Sequence, residues 1–279
     1  MLLKKLCLAA LLVYMSFTSQ RIQSGQETGP ISAPSGLLGG QAETGGALDG
    51  TSDAVGQSGA GQSASGQAQR EPVKRMTYTQ MAQELAVLGL NLPADLVEEL
   101  DGRETDSEYQ EIMDSYWESD PGFGYRMLLG YWGYGDYDDN WNRIPTSDQV
   151  YAFDCEVFDM STMYTEFMNG VIAISGGEFA ITDIEEDTSQ VDYDKDEGKQ
   201  ILTFKYNGKP YTFEAEFYGD WLDCSVIGFM NDVFEAEGNP KRLLATDDGG
   251  QGCILFYNTP EWGKELEALT GMELDTQFW

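Results

Sequence analysis

The chain has 279 residues, with 48 Asp and Glu against 16 Lys and Arg and no histidine. Without imidazole there is no Ser-His-Asp triad, no Cys-His nucleophile and no histidine-ligated zinc or haem, which leaves carboxylate chemistry, hard-cation binding or no catalysis. From residue 76 onward 43 acidic residues face 10 basic ones; such a surface stays soluble, repels nucleic-acid phosphate and anionic headgroups, and attracts cations or basic proteins.

In chain order, Lys4 and Lys5 precede an apolar run over residues 6–17 that is broken only by Ser16. That is the layout of a signal-peptide core, and it falls short of the roughly 20 residues of a comfortable membrane span. The cleavage signals, Ser16-x-Thr18 and Ile22-x-Ser24, are weak, so residues 1–23 read as a signal peptide or an uncleaved N-terminal anchor. Either reading places the chain outside the cytoplasm, secreted or tethered to the outer face of the cell membrane. Residues 24–75 read as a disordered Gly/Ser/Gln-rich linker. Between Ser24 and Arg70 there are 12 glycines, no aromatic residue and five Ile, Leu or Val, too few to offset the entropy of ordering the segment. As a flexible coil that stretch would span about 40 Å, which is tether behaviour.

Residues 76–148 are expected to form a helical subdomain. Thr77 and Gln80 have capping-box spacing, Tyr78, Met81, Leu85 and Leu88 follow at helical intervals, and Gly89 stops the helix. Pro93 opens a shorter helix through Leu100, closed by Asp101-Gly102. Thr105 and Glu108 repeat the capping box ahead of the apolar face Tyr109, Ile112, Met113, Tyr116 and Trp117. After the break at Asp120-Pro121 comes a short apolar segment, residues 125–129.

Residues 149–279 shift toward period two and read as an α+β domain, with residues 76–279 forming one compact unit. Strands are expected over 150–158, 178–184, 201–206 and 211–217, the last two flanking the hairpin signal Asn207-Gly208. Helices are expected over 160–174 and from Asp220 as N-cap, the second with the apolar stripe Leu222, Val226, Phe229, Met230, Val233 and Phe234. A second hairpin joins 243–246 to 253–257, and Thr259-Pro260-Glu261 starts a final helix. Tyr151-x-Phe153-x-x-Glu156 matches Tyr211-x-Phe213-x-x-Glu216, and Phe167-Met168-Asn169-x-Val171 matches Phe229-Met230-Asn231-x-Val233. Such matches suggest two strand–helix–strand–strand repeats, although short matches also arise by chance. The fold class expected is α+β: N-terminal helices, then a mostly antiparallel sheet with helices packed on one face.

Cys155, Cys224 and Cys253 have neither the spacing of a zinc site nor that of a disulfide framework, and read first as small buried hydrophobes; at most one bridge can join them. The richest constellation runs from Tyr131, Trp132, Tyr134, Asp136, Tyr137 and Asp138 to Asn140 and Trp141. Rings beside carboxylates and amides suit sugar binding, since rings stack on apolar sugar faces while Asp and Asn take hydroxyls; the bland alternative is a loop whose rings plug the core. Asp136, Asp138 and Asn140, and again Asp192, Asp194 and Asp196, alternate like calcium ligands, but Trp141 and Glu197 stand where a calcium loop turns on Gly. No cofactor is expected, with calcium left open. Asp247-Asp248-Gly249-Gly250-Gln251-Gly252 lacks the Lys of a phosphate loop. The composite expectation is an exported, tethered, acidic, non-catalytic binding module whose partner is a glycan or a basic protein rather than nucleic acid or an anionic membrane. Its rivals are a carboxylate-based glycan hydrolase and an inhibitor or immunity-type protein for a basic partner. Oligomeric state is not constrained.

Overall fold

The computed structural model describes residues 76–103, 116–117, 119–137, 143–157 and 159–277. The expectations for the leader, the linker and the Thr105–Glu108 capping box lie outside them. No helix among the described residues is long and apolar enough to cross a membrane.

Helix α1 (Tyr78–Val87) begins at a complete capping box: the Thr77 hydroxyl accepts from Gln80 N, and the Gln80 side chain accepts from Thr77 N at 3.0 Å. Asp101, on α2 (Ala94–Arg103), also accepts from Tyr78 N at 2.7 Å, placing a carboxylate at the positive end of α1. Helix α3 (Phe123–Gly133) occupies the region expected only to be a short apolar segment. Nearly every side is buried, so it has no polar face and no readable period. Its Gly133 lies so close to the backbone at residue 152 that a Cβ there would stand 2.7 Å from Ala152 N. A short ladder, β1 (Asp136–Tyr137) with β2 (Arg143–Ile144), follows.

The rest alternates strands and helices: β3 (Val150–Asp154), α4 (Met163–Ile174), β4 (Ile181–Asp192), β5 (Glu197–Tyr206), β6 (Lys209–Glu216), α5 (Ser225–Ala236), β7 (Arg242–Asp247), β8 (Gly252–Asn258) and α6 (Pro260–Thr270). The fold is α+β with antiparallel pairing throughout. In place of one large sheet there are two three-stranded sheets, ordered β3–β8–β7 and β4–β5–β6. Helices α4 and α5 touch both, and side chains from both sheets and both helices fuse into one apolar core. In the first sheet Tyr151, Phe153, Leu243, Ala245, Cys253 and Leu255 face that core. Alternate positions turn the other way, toward α3 and α6: Gly133 meets Val150, Gly263 meets Leu244, and the Phe256 and Trp262 rings lie 5.6 Å apart. In the second sheet Leu202, Phe204, Phe213 and Ala215 are buried while Lys205, Thr212, Glu214 and Glu216 are exposed.

The element order β3–α4–β4–β5 recurs as β6–α5–β7–β8. The Tyr-x-Phe matches fall on β3 and β6, and the Phe-Met-Asn-x-Val matches on α4 and α5, each 12 residues long. The first strand of each set pairs with the last strand of the other, Tyr151 opposite Leu255 and Tyr211 opposite Phe204. Asn239 Nδ2 joins the two sheets by donating to Tyr206 Oη at 3.1 Å and Tyr257 Oη at 2.7 Å.

Two local expectations change. Asp220 does not cap α5: the helix starts five residues later, and Asp223 Oδ1 accepts from Ser225 N instead. Asp220 is held by the bridge that joins residues 155–157 to 220–222, where its carbonyl accepts from Val157 N at 2.7 Å. Strand β4 runs to Asp192, well past residue 184, because two register shifts let its polar second half keep pairing with β5.

Candidate functional site

The expected constellation is divided by the fold. Trp132 is buried, Tyr131 is half-buried on the same helix, and the ring of Trp132 is therefore committed to packing rather than offered to a ligand. Tyr137 is half-buried and Asp136 exposed on β1; Asp138, Asn140 and Trp141 lie outside the described residues. Arg143, next along, sends Nη2 to the carbonyls of Gly133 and Ala152 and stacks 4.4 Å above the Tyr151 ring. Tyr151 is raised to about 12 by burial, and the nearby guanidinium only partly opposes it.

Tyr134 belongs to a different cluster, assembled from three elements. Its hydroxyl donates to Asp248 Oδ2 at 3.2 Å, in the β7–β8 turn. Asp248 Oδ1 accepts from Gly250 N at 2.8 Å and Gly252 N at 3.0 Å, so the acidic Gly-rich stretch serves its own turn. From that turn Gln251 Nε2 reaches Asp154 Oδ1 at 3.2 Å and Glu156 Oε2, bridging a carboxylate at the end of β3 and one just beyond it. Asp154 is raised above its ordinary value, first by the protein packed around its carboxyl, with hydrogen bonds from Glu156 N and Gln251 opposing and the charge of Asp248 adding. Burial and the same two aspartates push Tyr134 well up, so it stays a donor.

Beyond Glu156 the acidic cluster meets exposed rings. Glu156 bridges Trp221 antiparallel, which sets their side chains on one face. The segment carrying Trp221 is anchored at both ends, by Phe217 N to Gly198 O at 3.0 Å and Leu222 N to Cys155 O at 2.8 Å, and reverses at Gly219, whose φ is 66°. Phe217 and Leu222 point into the core, leaving Tyr218 61% and Trp221 41% exposed. Tyr193, 44% exposed on the β4–β5 turn, packs edge-on against Phe217 at 5.4 Å. Asp194 and Asp196 share that turn, and Lys195 is engaged by Asp192 at 2.5 Å. Among the described residues no group of three or more acidic or cysteine side chains converges to hold a metal ion, and the alternating run Asp192, Asp194 and Asp196 forms a turn and its flanks.

A shallow apolar depression lies elsewhere, lined by Val87, Leu88, Ala268 and Leu269 with Glu84 and Glu265 beside them. It offers no set of converging polar groups. Comparison with protein-family models, curated proteins and solved structures gives no match, so the chemistry of the face around Trp221 carries the functional reading.

Proposed function

We propose that this chain is an exported, tethered, non-catalytic binding module that takes a basic protein or peptide on the face formed by Tyr193, Tyr218 and Trp221 with Glu156, Asp194 and Asp196. The observation that carries the reading is large aromatic area left exposed on bridged positions, Tyr218 and Trp221, with Glu156 bridged to Trp221 and Asp196 beside Gly219. Aromatic faces attract Lys and Arg heads, carboxylates complete their hydrogen bonding, and aromatic anchors dominate interface energies. A net charge of −32 supplies steering over the longer range. Export rests on the leader and tether. Binding is favoured over glycan hydrolysis because Gln251 Nε2 donates to both Asp154 and Glu156, tying up the carboxyl pair beside this face.

The test separates this face from bulk charge by keeping charge constant. Titrating an Arg/Lys-rich peptide into the full chain should give binding that weakens with salt. The double variant Tyr218→Ala/Trp221→Ala should weaken it at least about tenfold, the loss of one or two aromatic anchors. Unchanged affinity in a folded double variant, or no binding by the unaltered chain, rejects the proposal.

A further inference from the structure

Beside the proposed binding face, two thiols of the apolar core pack against each other. Cys155 and Cys224 are buried, 69 residues apart in sequence, with Sγ atoms 3.3 Å from each other. Cys155 follows β3 and Cys224 precedes α5, and the hydrogen bond from Leu222 N to Cys155 O draws the two segments together. Cys253 sits on β8 opposite Phe153, within the sheet. We infer that Cys155 and Cys224 are a disulfide site, with Cys253 remaining a thiol.

The separation exceeds a covalent S–S bond by little more than an ångström, within reach of side-chain rotation. The oxidant is a disulfide of the kind that an oxidising compartment supplies, either a protein disulfide or oxidised glutathione. One thiolate attacks it, forming a mixed disulfide and releasing one thiolate of the oxidant. The second cysteine, as thiolate, attacks the protein-bound sulfur, forming the Cys155–Cys224 bond and releasing the other. Both protons end on the released thiols; two cysteines are oxidised and one disulfide is reduced. In the folded chain the hydrogen bond between the two thiols and their burial push the Cys155 thiol far up, so exchange belongs to the folding stage and the finished bond is shielded. Its place gives it a role. Residues 156 and 221, the bridge that carries Glu156 and Trp221, lie between the two cysteines in sequence, and the bond would clasp the β3 end to the loop that presents the rings.

The site shares only the premise of export with the binding proposal, and its test depends on neither. The full chain is refolded from denaturant in a mixture of reduced and oxidised glutathione, then unfolded without reductant, alkylated and mapped by mass spectrometry. Two labels, on Cys7 and Cys253, with a peptide pair crosslinked through Cys155 and Cys224 is the expected result; prior reduction should raise the labels to four. In Cys253→Ala the crosslink should persist, and reduction should lower Tm by something on the order of 10 °C. Four labels without reduction, or a crosslink through Cys253 or Cys7, overturns the inference.

Discussion

The two strand–helix–strand–strand runs, residues 150–206 and 209–258, follow one order of elements but meet different surroundings. The hairpin of the second, β7–β8, is buried almost throughout because α3 and α6 cover the face that α4 and α5 leave open. That of the first, β4–β5, is covered on one face only, and it is longer, bulged and edged with acid. The difference shows that residue type at matched positions does not decide burial; neighbours do. Asn231 in α5 is 3% exposed, accepts from Leu243 N at 2.7 Å and donates to Leu243 O and Thr276 O. Asn169, its match in α4, is exposed.

That pair gives the sharpest test. Asn231→Ala strands buried backbone groups of β7 and should cost about 2–4 kcal/mol by urea denaturation, whereas Asn169→Ala should stay within about 0.5 kcal/mol. Equal effects would break the distinction between the runs.

A smaller effect is expected one residue along. At Gly170 a Cβ would collide with the Tyr151 ring, which Arg143 holds from above, while the matched Asp232 is exposed. Gly170→Ala should cost about 1–3 kcal/mol by overpacking in the same urea experiment, and Asp232→Ala close to nothing.

The smallest effect concerns pH. Glu186, in β4, accepts from Thr165 N at 3.0 Å and Tyr164 N at 3.3 Å at the start of α4. Burial nevertheless holds it above its ordinary value, with those hydrogen bonds opposing. A carboxyl raised on folding binds more protons in the folded state, so its stabilising share is full below the unfolded value near 4 and is lost as pH rises through the raised one. Asp159, lowered first by its Ser161 hydrogen bond, acts in the opposite sense, losing its share as pH falls through its lowered value. Tm should therefore rise as pH is brought from 7 into the mildly acidic range and fall again in stronger acid. Glu186→Gln should flatten the rise; an unaltered profile would remove Glu186 as its source.

Local grammar was legible in the sequence where one short stretch decides the outcome. The Thr77 capping box and the Thr259-Pro260 helix start are present, and Asn207 and Gly208 take positive φ between β5 and β6. Helix α3 escaped because a helix buried on all sides has no amphipathic period, and its aromatic density mimicked a ligand loop. The far half of β4 escaped because bulges destroy the alternation by which strands are read. The pairing of β3 with β8 was out of reach, since pairing over about a hundred residues leaves no local mark. The face around Trp221 was missed for a similar reason. In sequence, Tyr218 and Trp221 resemble Phe217 and Leu222 beside them, and only the turn at Gly219 decides which rings face water.

The exchanged strands also set a timetable. Val150 pairs with Phe256, so β3 emerges early in synthesis and its ladder partner is among the last strands made. Every earlier intermediate carries an apolar strand with nowhere to pair, which raises contact order, slows folding and exposes the chain to aggregation. A sequence built this way folds late and all at once.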